Sequence, residues 1–178
     1  MKKIHKDKSY KNVIPVKLLF FIYILVFIVG IILGYLFINV ENIALNPTEV
    51  DFRSIFVNNF TLSVTLVIGG LLTFGVISFL IIFINGLVIG ELIKVLELNN
   101  SMFSFFHGLL PHLIIELPAL ILFAICGTFS GHILLMFLRN KVSHHIISLY
   151  IKIGVAFFIF GTVLLFVASL IEDYISFV

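Results

Sequence analysis

Long apolar runs, broken by short polar patches, set the pattern of this chain. No Asp, Glu, Lys or Arg occurs in residues 18–40, 54–90 or 153–171, and each block is close to or beyond the roughly 20 residues that a helix needs to cross a bilayer. The pattern predicts spans at 18–38, 61–84 and 151–171. Between Glu97 and Arg139 the one formal charge is Glu116, so 102–138 belongs in the membrane as well. As one straight helix that segment would be about 55 Å long, nearly twice the hydrocarbon thickness. Pro111 and Pro118 each remove a backbone donor and bias the preceding residue away from helical geometry, which places a break between them. The segment then reads as two crossings, 102–117 and 118–138. A four-crossing alternative keeps 102–117 as a re-entrant half-helix, since irregular backbone is allowed at membrane depth where protein or water surrounds it.

The predicted fold class is therefore all-α: a polytopic helical membrane bundle forming a single transmembrane domain over 1–178, with a basic tail at 1–17. Charge selects five crossings over four. Lys2, Lys3, Lys6, Lys8, Lys11 and Lys17 stand against Asp7 before the first span, a cytoplasmic flank by the positive-inside rule. Five crossings put the basic segment Arg139 to Lys152 on that same side and the acidic Glu172-Asp173 outside. Glu41, Glu49 and Asp51, against Arg53 alone, agree with an outer position for the first loop. In this arrangement the second span carries its helix inward past Asn85-Gly86 to Glu91, Lys94 and Glu97. Asn46-Pro47-Thr48 is a turn signal, and Asp51 to Phe56 has the spacing of a short interfacial helix or an ordinary loop.

Composition sharpens the class. The sequence is 61% hydrophobic and 11% charged, with a mean hydropathy of +1.26, against about 25% charged residues in a soluble domain. A formal net charge of +2, concentrated at the membrane edge, does not suit nucleic acid. The lone Cys126 allows neither an internal disulfide nor a cysteine metal site. The run at 18–38 is too long for the apolar core of a secretory leader and ends at Asn39-Val40-Glu41 without a small-x-small site; it reads as an uncleaved first span.

Candidate chemistry concentrates at Pro111-His112-Leu113-Ile114-Ile115-Glu116-Leu117-Pro118. An ionisable group at membrane depth costs several kcal/mol unless paired, hydrated or functional. Helical spacing puts His112 and Glu116 one turn apart on one face, where each can hydrogen-bond the other. They form a polar core for a partner helix, a proton- or metal-handling pair, or a structural bond to carbonyls freed by the prolines. The His-Glu-x-x-His of helical zinc proteases is absent, and a metal shared by Glu116 with His107 or His132 would need ligands from separate helices. Asn85, next to Gly86, reads as a hinge, as a polar contact to the His112/Glu116 region, or as the end of a span. Gly30/Gly34, Gly86/Gly90 and Gly127/Gly131 each match Gly-x-x-x-Gly and cut a notch for close helix packing, within the chain or in a homo-oligomer. Asn58-Asn59 read as interfacial caps, and Arg139 to His145 as a solvated headgroup-binding run. Nucleophile motifs, a P-loop and a dinucleotide fingerprint are absent from the sequence, so no catalytic residue, resident metal or cofactor is assigned.

Asn58-Asn59, Gly69-Gly70, Asn85-Gly86-Leu87-Val88-Ile89-Gly90, Pro111-His112-x-x-x-Glu116-Leu117-Pro118-Ala119, then Gly127 and Gly131, taken in order, resemble the stage II sporulation protein M family over about residues 56–131. The Pro-His to Pro-Ala core is the specific part. It departs from the family at Leu113, where glycine is usual. The resemblance implies a multi-span protein of the bacterial inner membrane without catalytic activity. The family's namesake is a scaffold for two cell-wall-degrading proteins, the stage II sporulation proteins D and P. Other members accompany ATP-binding-cassette exporters of circular bacteriocins, in secretion and immunity. Expected partners are thus lipids and membrane or cell-wall proteins: hydrolases, or an exporter ATPase or permease. Two rival readings remain. In one, a permease-type subunit lines a path with the helix broken at the prolines; in the other, a metal-dependent intramembrane hydrolase uses His112 and Glu116.

Overall fold

The computed structural model describes residues 14–37, 51–140 and 144–176. Within them the chain forms helices α1 (Val16–Phe37), α2 (Phe52–Leu72), α3 (Val76–Leu98), α4 (Met102–Leu138) and α5 (His144–Ser176). All five are long and apolar enough to cross a membrane, so the fold is an all-α membrane bundle. Residues 1–13 of the basic tail, Glu41, Asn46-Pro47-Thr48, Glu49 and Lys141 lie outside the described residues.

Close approaches fix the helix directions. Gly30 meets Gly86 and Gly34 meets Leu87, so α1 and α3 run parallel; Leu66 and Gly70 meet Gly127, and Phe74 meets Gly131, so α2 and α4 do too. Helix α5 runs antiparallel to α4, with Tyr150 beside His132 and Phe158 beside Phe123. One end of the bundle therefore gathers Val16, the 73–75 turn, Leu138 and His144, and the other gathers Phe37, Phe52, Leu98, Met102 and Ser176.

The number of spans matches expectation, but two errors of boundary cancel to give it. Residues 61–84 are not one span, because the chain reverses at Thr73-Phe74-Gly75. Thr73 Oγ1 donates to Gly69 O at 2.6 Å and accepts from the Ile77 amide at 2.9 Å, while the Gly75 amide closes on Gly70 O at 2.8 Å. Gly75 sits at φ +96° and Phe74 at +56°, left-handed backbone that glycine adopts freely and other residues at a cost. The reversal costs little in lipid because these bonds satisfy the exposed backbone groups. The stretch read as a loop or an interfacial helix at 51–56 is the first turn of α2, which begins at Phe52. Glu97 bonds the Tyr35 hydroxyl at 2.5 Å, which puts Glu91 to Glu97 at the end opposite the N-terminal flank and not on its side as expected. Gly75→Ala is expected to lower stability by about 1–2 kcal/mol, the cost of left-handed backbone for an L-residue, as a fall in the thermal midpoint in detergent.

The second correction concerns α4, a continuous helix of 37 residues that passes through both prolines. The five-residue π-helical turn Phe105–Leu109 precedes Pro111, and its wider coil accommodates the ring where an α-turn would clash. Pro118 lies inside the helix and deletes one bond, a loss that the surrounding ladder and packing tolerate in lipid. Neither two crossings nor a re-entrant loop results. Helix α4 is instead the axis of the bundle: half of its most apolar stretch is buried, against 22–28% for the other four helices. Every side chain from Ala119 to Cys126 is at most 8% exposed.

Helices close on this axis through small residues. The notches at Gly30/Gly34 and Gly86/Gly90 face each other across α1 and α3, and Gly127/Gly131 lies on α2 at Gly70 and Phe74. With no hydrophobic drive between helices in lipid, such contacts hold the bundle by dispersion and by short polar pins. Three such pins are Ser78 Oγ to Leu66 O at 2.7 Å, which is buried, and two that are part-buried: the Tyr23 hydroxyl with Thr128 Oγ1 at 2.7 Å, and the Tyr150 hydroxyl, which accepts from the Ile14 amide at 2.9 Å and lies 3.1 Å from His132 Nδ1.

Candidate polar site

The π-turn and Pro111 deliver His112 to the inner face of α4, where its side chain is 9% exposed. The ring does not bond along the helix to Glu116 in the way the one-turn spacing suggested. Its Nδ1 lies 3.0 Å from Gly108 O; since a carbonyl only accepts, Nδ1 carries the proton and donates. In the neutral ring the lone pair is then on Nε2, and Nε2 stands 3.9 Å from Glu172 Oε2 on α5. Ligating atoms of His112, Glu116 and Glu172 all lie within 4.8 Å of one another. The group sits near the Leu98/Met102/Ser176 end of the bundle.

On its inward side a cavity of about 60 Å³ is lined by His112, Glu116, Asn85, Phe27, Ile89 and Leu113, among others. That is ample for water, which needs roughly 10–15 Å³ of such volume. Asn85 therefore shares a chamber with His112 and Glu116. Its amide donates to Ile81 O at 2.8 Å, and α3 runs unbroken through Asn85-Gly86. Gly86 and Gly90 face α1, Gly127 and Gly131 face α2, and Pro111 and Pro118 flank the polar group without breaking α4.

Glu172, expected in an acidic outer tail, belongs instead to this group. The structure buries Leu165, Ala168 and Ser169 on α5, and 172 continues that face by steps of three, four and seven, the one cue that the spacing in the sequence offered. The proposed sharing of Glu116 with His107 or His132 does not occur. His107 stacks on Phe103 at 3.9 Å with Nδ1 at 3.2 Å from Phe103 O, and His132 is occupied with Tyr150 about 24 Å farther along α4 at the helical rise.

Among the described residues, His112, Glu116 and Glu172 are the group whose ligand atoms converge closely enough for one cation. Two carboxylates and the imidazole lone pair are all acceptors, the kind of group that a proton or a cation can bridge.

Five apolar helices, four of them packed around a buried fifth, with an acid–imidazole group near one end, define a multi-span helical membrane protein. The chain belongs to the stage II sporulation protein M family, whose model matches residues 23–177 and so takes in α5 and Glu172 as well as the core motif. It is also 27% identical over 164 residues to an uncharacterised protein of Methanocaldococcus jannaschii, covering 86% of this chain and 90% of that one. No solved structure matches it.

Proposed function

We propose that this protein is a non-catalytic subunit of the inner (cell) membrane, with its N terminus in the cytoplasm, acting as a scaffold or accessory for a membrane complex. The packed axis carries this reading: with Ala119 to Cys126 almost wholly enclosed, the glycine-interlocked bundle offers a partner its outer surface. Helices α1 and α5 present Phe21, Leu36, Ile159 and Phe160 outward, to lipid or to another protein's helices. The permease reading drew on a break at Pro111–Pro118, and α4 runs through both prolines. Family membership supports a place beside cell-wall hydrolases in remodelling. Short connections at 73–75 and 99–101 suit a partner met within the membrane, such as a peptide exporter with its ATPase in bacteriocin secretion or immunity.

Co-purification of the tagged chain with candidate wall hydrolases and exporter subunits from native membranes tests the reading. Glu116→Ala, which removes an acid from the polar group, is expected to cut partner recovery several-fold; undiminished recovery counts against an assembly role for that group. Orientation has its own check. In a Cys126→Ser background, Asn100→Cys is expected to react with an impermeant maleimide on intact cells, and His145→Cys only after permeabilisation. The two positions sit at opposite ends of the bundle, so the reverse result inverts the assignment.

A further inference from the structure

We propose that His112, Glu116 and Glu172 form a binding site for one divalent transition-metal ion, of the zinc class, that clamps α4 to α5. Nothing in the family assignment or in the scaffold role leads to this; it rests on the geometry of the three side chains.

The imidazole is set up as a ligand. A metal-bound histidine characteristically donates its second ring N–H to a carbonyl or carboxylate, which fixes the tautomer and aims the other nitrogen. His112 has this arrangement, with Nδ1 held by Gly108 O at 3.0 Å and Nε2 turned toward Glu172 Oε2 at 3.9 Å. The side chain is more than nine-tenths buried, so that lone pair faces the two carboxylates and not bulk solvent. Three acceptors from two helices hold their ligating atoms within 4.8 Å of one another, close enough for one cation to bridge them. A mixed nitrogen and oxygen set, with one imidazole and two carboxylates, suits zinc or a neighbouring first-row ion, with metal–ligand distances of about 2.0–2.2 Å. Ligands around such an ion stand closer together than 3.9 Å, so occupancy draws the three side chains slightly inward. Glu172, near the end of α5 with a third of its side chain exposed, supplies the ligand that borders solvent and so the entry path. The water-sized cavity beside His112 and Glu116 leaves room for water as the fourth ligand. The role is that of a clasp: the ion joins the axial helix to the last helix near the bundle end where α5 terminates.

The test uses the full-length protein in detergent, purified without a metal-chelating column, stripped with EDTA and titrated with Zn²⁺ alone. The expected result is one ion per chain and a rise in the thermal midpoint on adding zinc. Glu172→Gln, which keeps the side-chain shape, is expected to weaken zinc binding by more than about 100-fold, beyond the 10–100-fold that loss of a supporting partner brings. A double His144→Ala, His145→Ala variant is expected to bind as the wild type does. X-ray absorption of the zinc-loaded wild type, which needs no variant to fold, is expected to report one imidazole nitrogen among oxygen ligands. The proposal is overturned by a wild type that binds no zinc, by equal affinity in Glu172→Gln, by loss of binding in the His144/His145 variant, or by an absorption spectrum showing several imidazoles.

Discussion

Gly86→Leu is expected to abolish the folded bundle, or to leave it destabilised by about 3 kcal/mol or more, the upper end of what overpacking costs. At this crossing nothing can give way. A Cβ on Gly86 meets the Phe27 carbonyl and stands 3.1 Å from Gly30 Cα, and one on Gly30 stands 2.5 Å from Phe83 O. Those are backbone atoms of two helices, so relief means separating α1 from α3, and with it the close fit that replaces hydrophobic drive in lipid. The smallest form of the same change gives a sign test. Gly86→Ala is expected to destabilise by about 1–3 kcal/mol, whereas Gly154→Ala, where a Cβ would find nothing within 4 Å, is expected to stabilise by up to about 1 kcal/mol through helix propensity. Thermal unfolding followed by circular dichroism in one detergent compares the two. Equal shifts of the same sign would mean that helix propensity, and not the crossing, governs both positions.

Phe123→Ala is expected to cost about 3 kcal/mol, the lower end of the range for deleting a buried ring. Phe123 is fully enclosed. Its ring meets Phe158 edge-on at 5.2 Å and 81°, and a Cβ on Gly161 would come within 2.8 Å of its Cε2. Transfer from water adds little in a bilayer, so the loss is mainly dispersion along the walls of the cavity. For that reason Phe123→Leu, which refills part of the space, is expected to recover at least half of the loss in the same melt. A Phe123→Ala midpoint within error of the wild type would show that the axis of the bundle repacks, contrary to the close fit along α4.

Several features of the chain were legible before any coordinate. Charge-free blocks announced membrane helices because lipid admits a backbone only when its polar groups are satisfied internally. The lone Glu116 pointed to the polar group because a buried acid at that depth demands compensation. The Gly-x-x-x-Gly pairs were visible as notches, and the structure seats two of them against each other. The turn at 73–75 was hidden, since Leu71, Leu72, Phe74, Val76 and Ile77 leave no polar interruption and its one cue was a threonine two residues before a glycine. The prolines misled in the opposite direction. A rule drawn from isolated helices put a break where the π-turn and the neighbouring helices hold α4 continuous.

By itself the sequence determined what every apolar stretch must do, because burial in lipid and backbone bonding are local demands that each segment meets alone. It thereby determined the helical membrane class and set the acid and imidazole on one face, while its Pro-His to Pro-Ala motif carried the resemblance to the family. Only the tertiary structure decided partners across helices: that α1 lies parallel to α3, that α4 is the axis, and that Glu172, 56 residues beyond Glu116 in the chain, closes the polar group. Such pairings depend on the packing of several helices at once, a property of no single stretch of the chain.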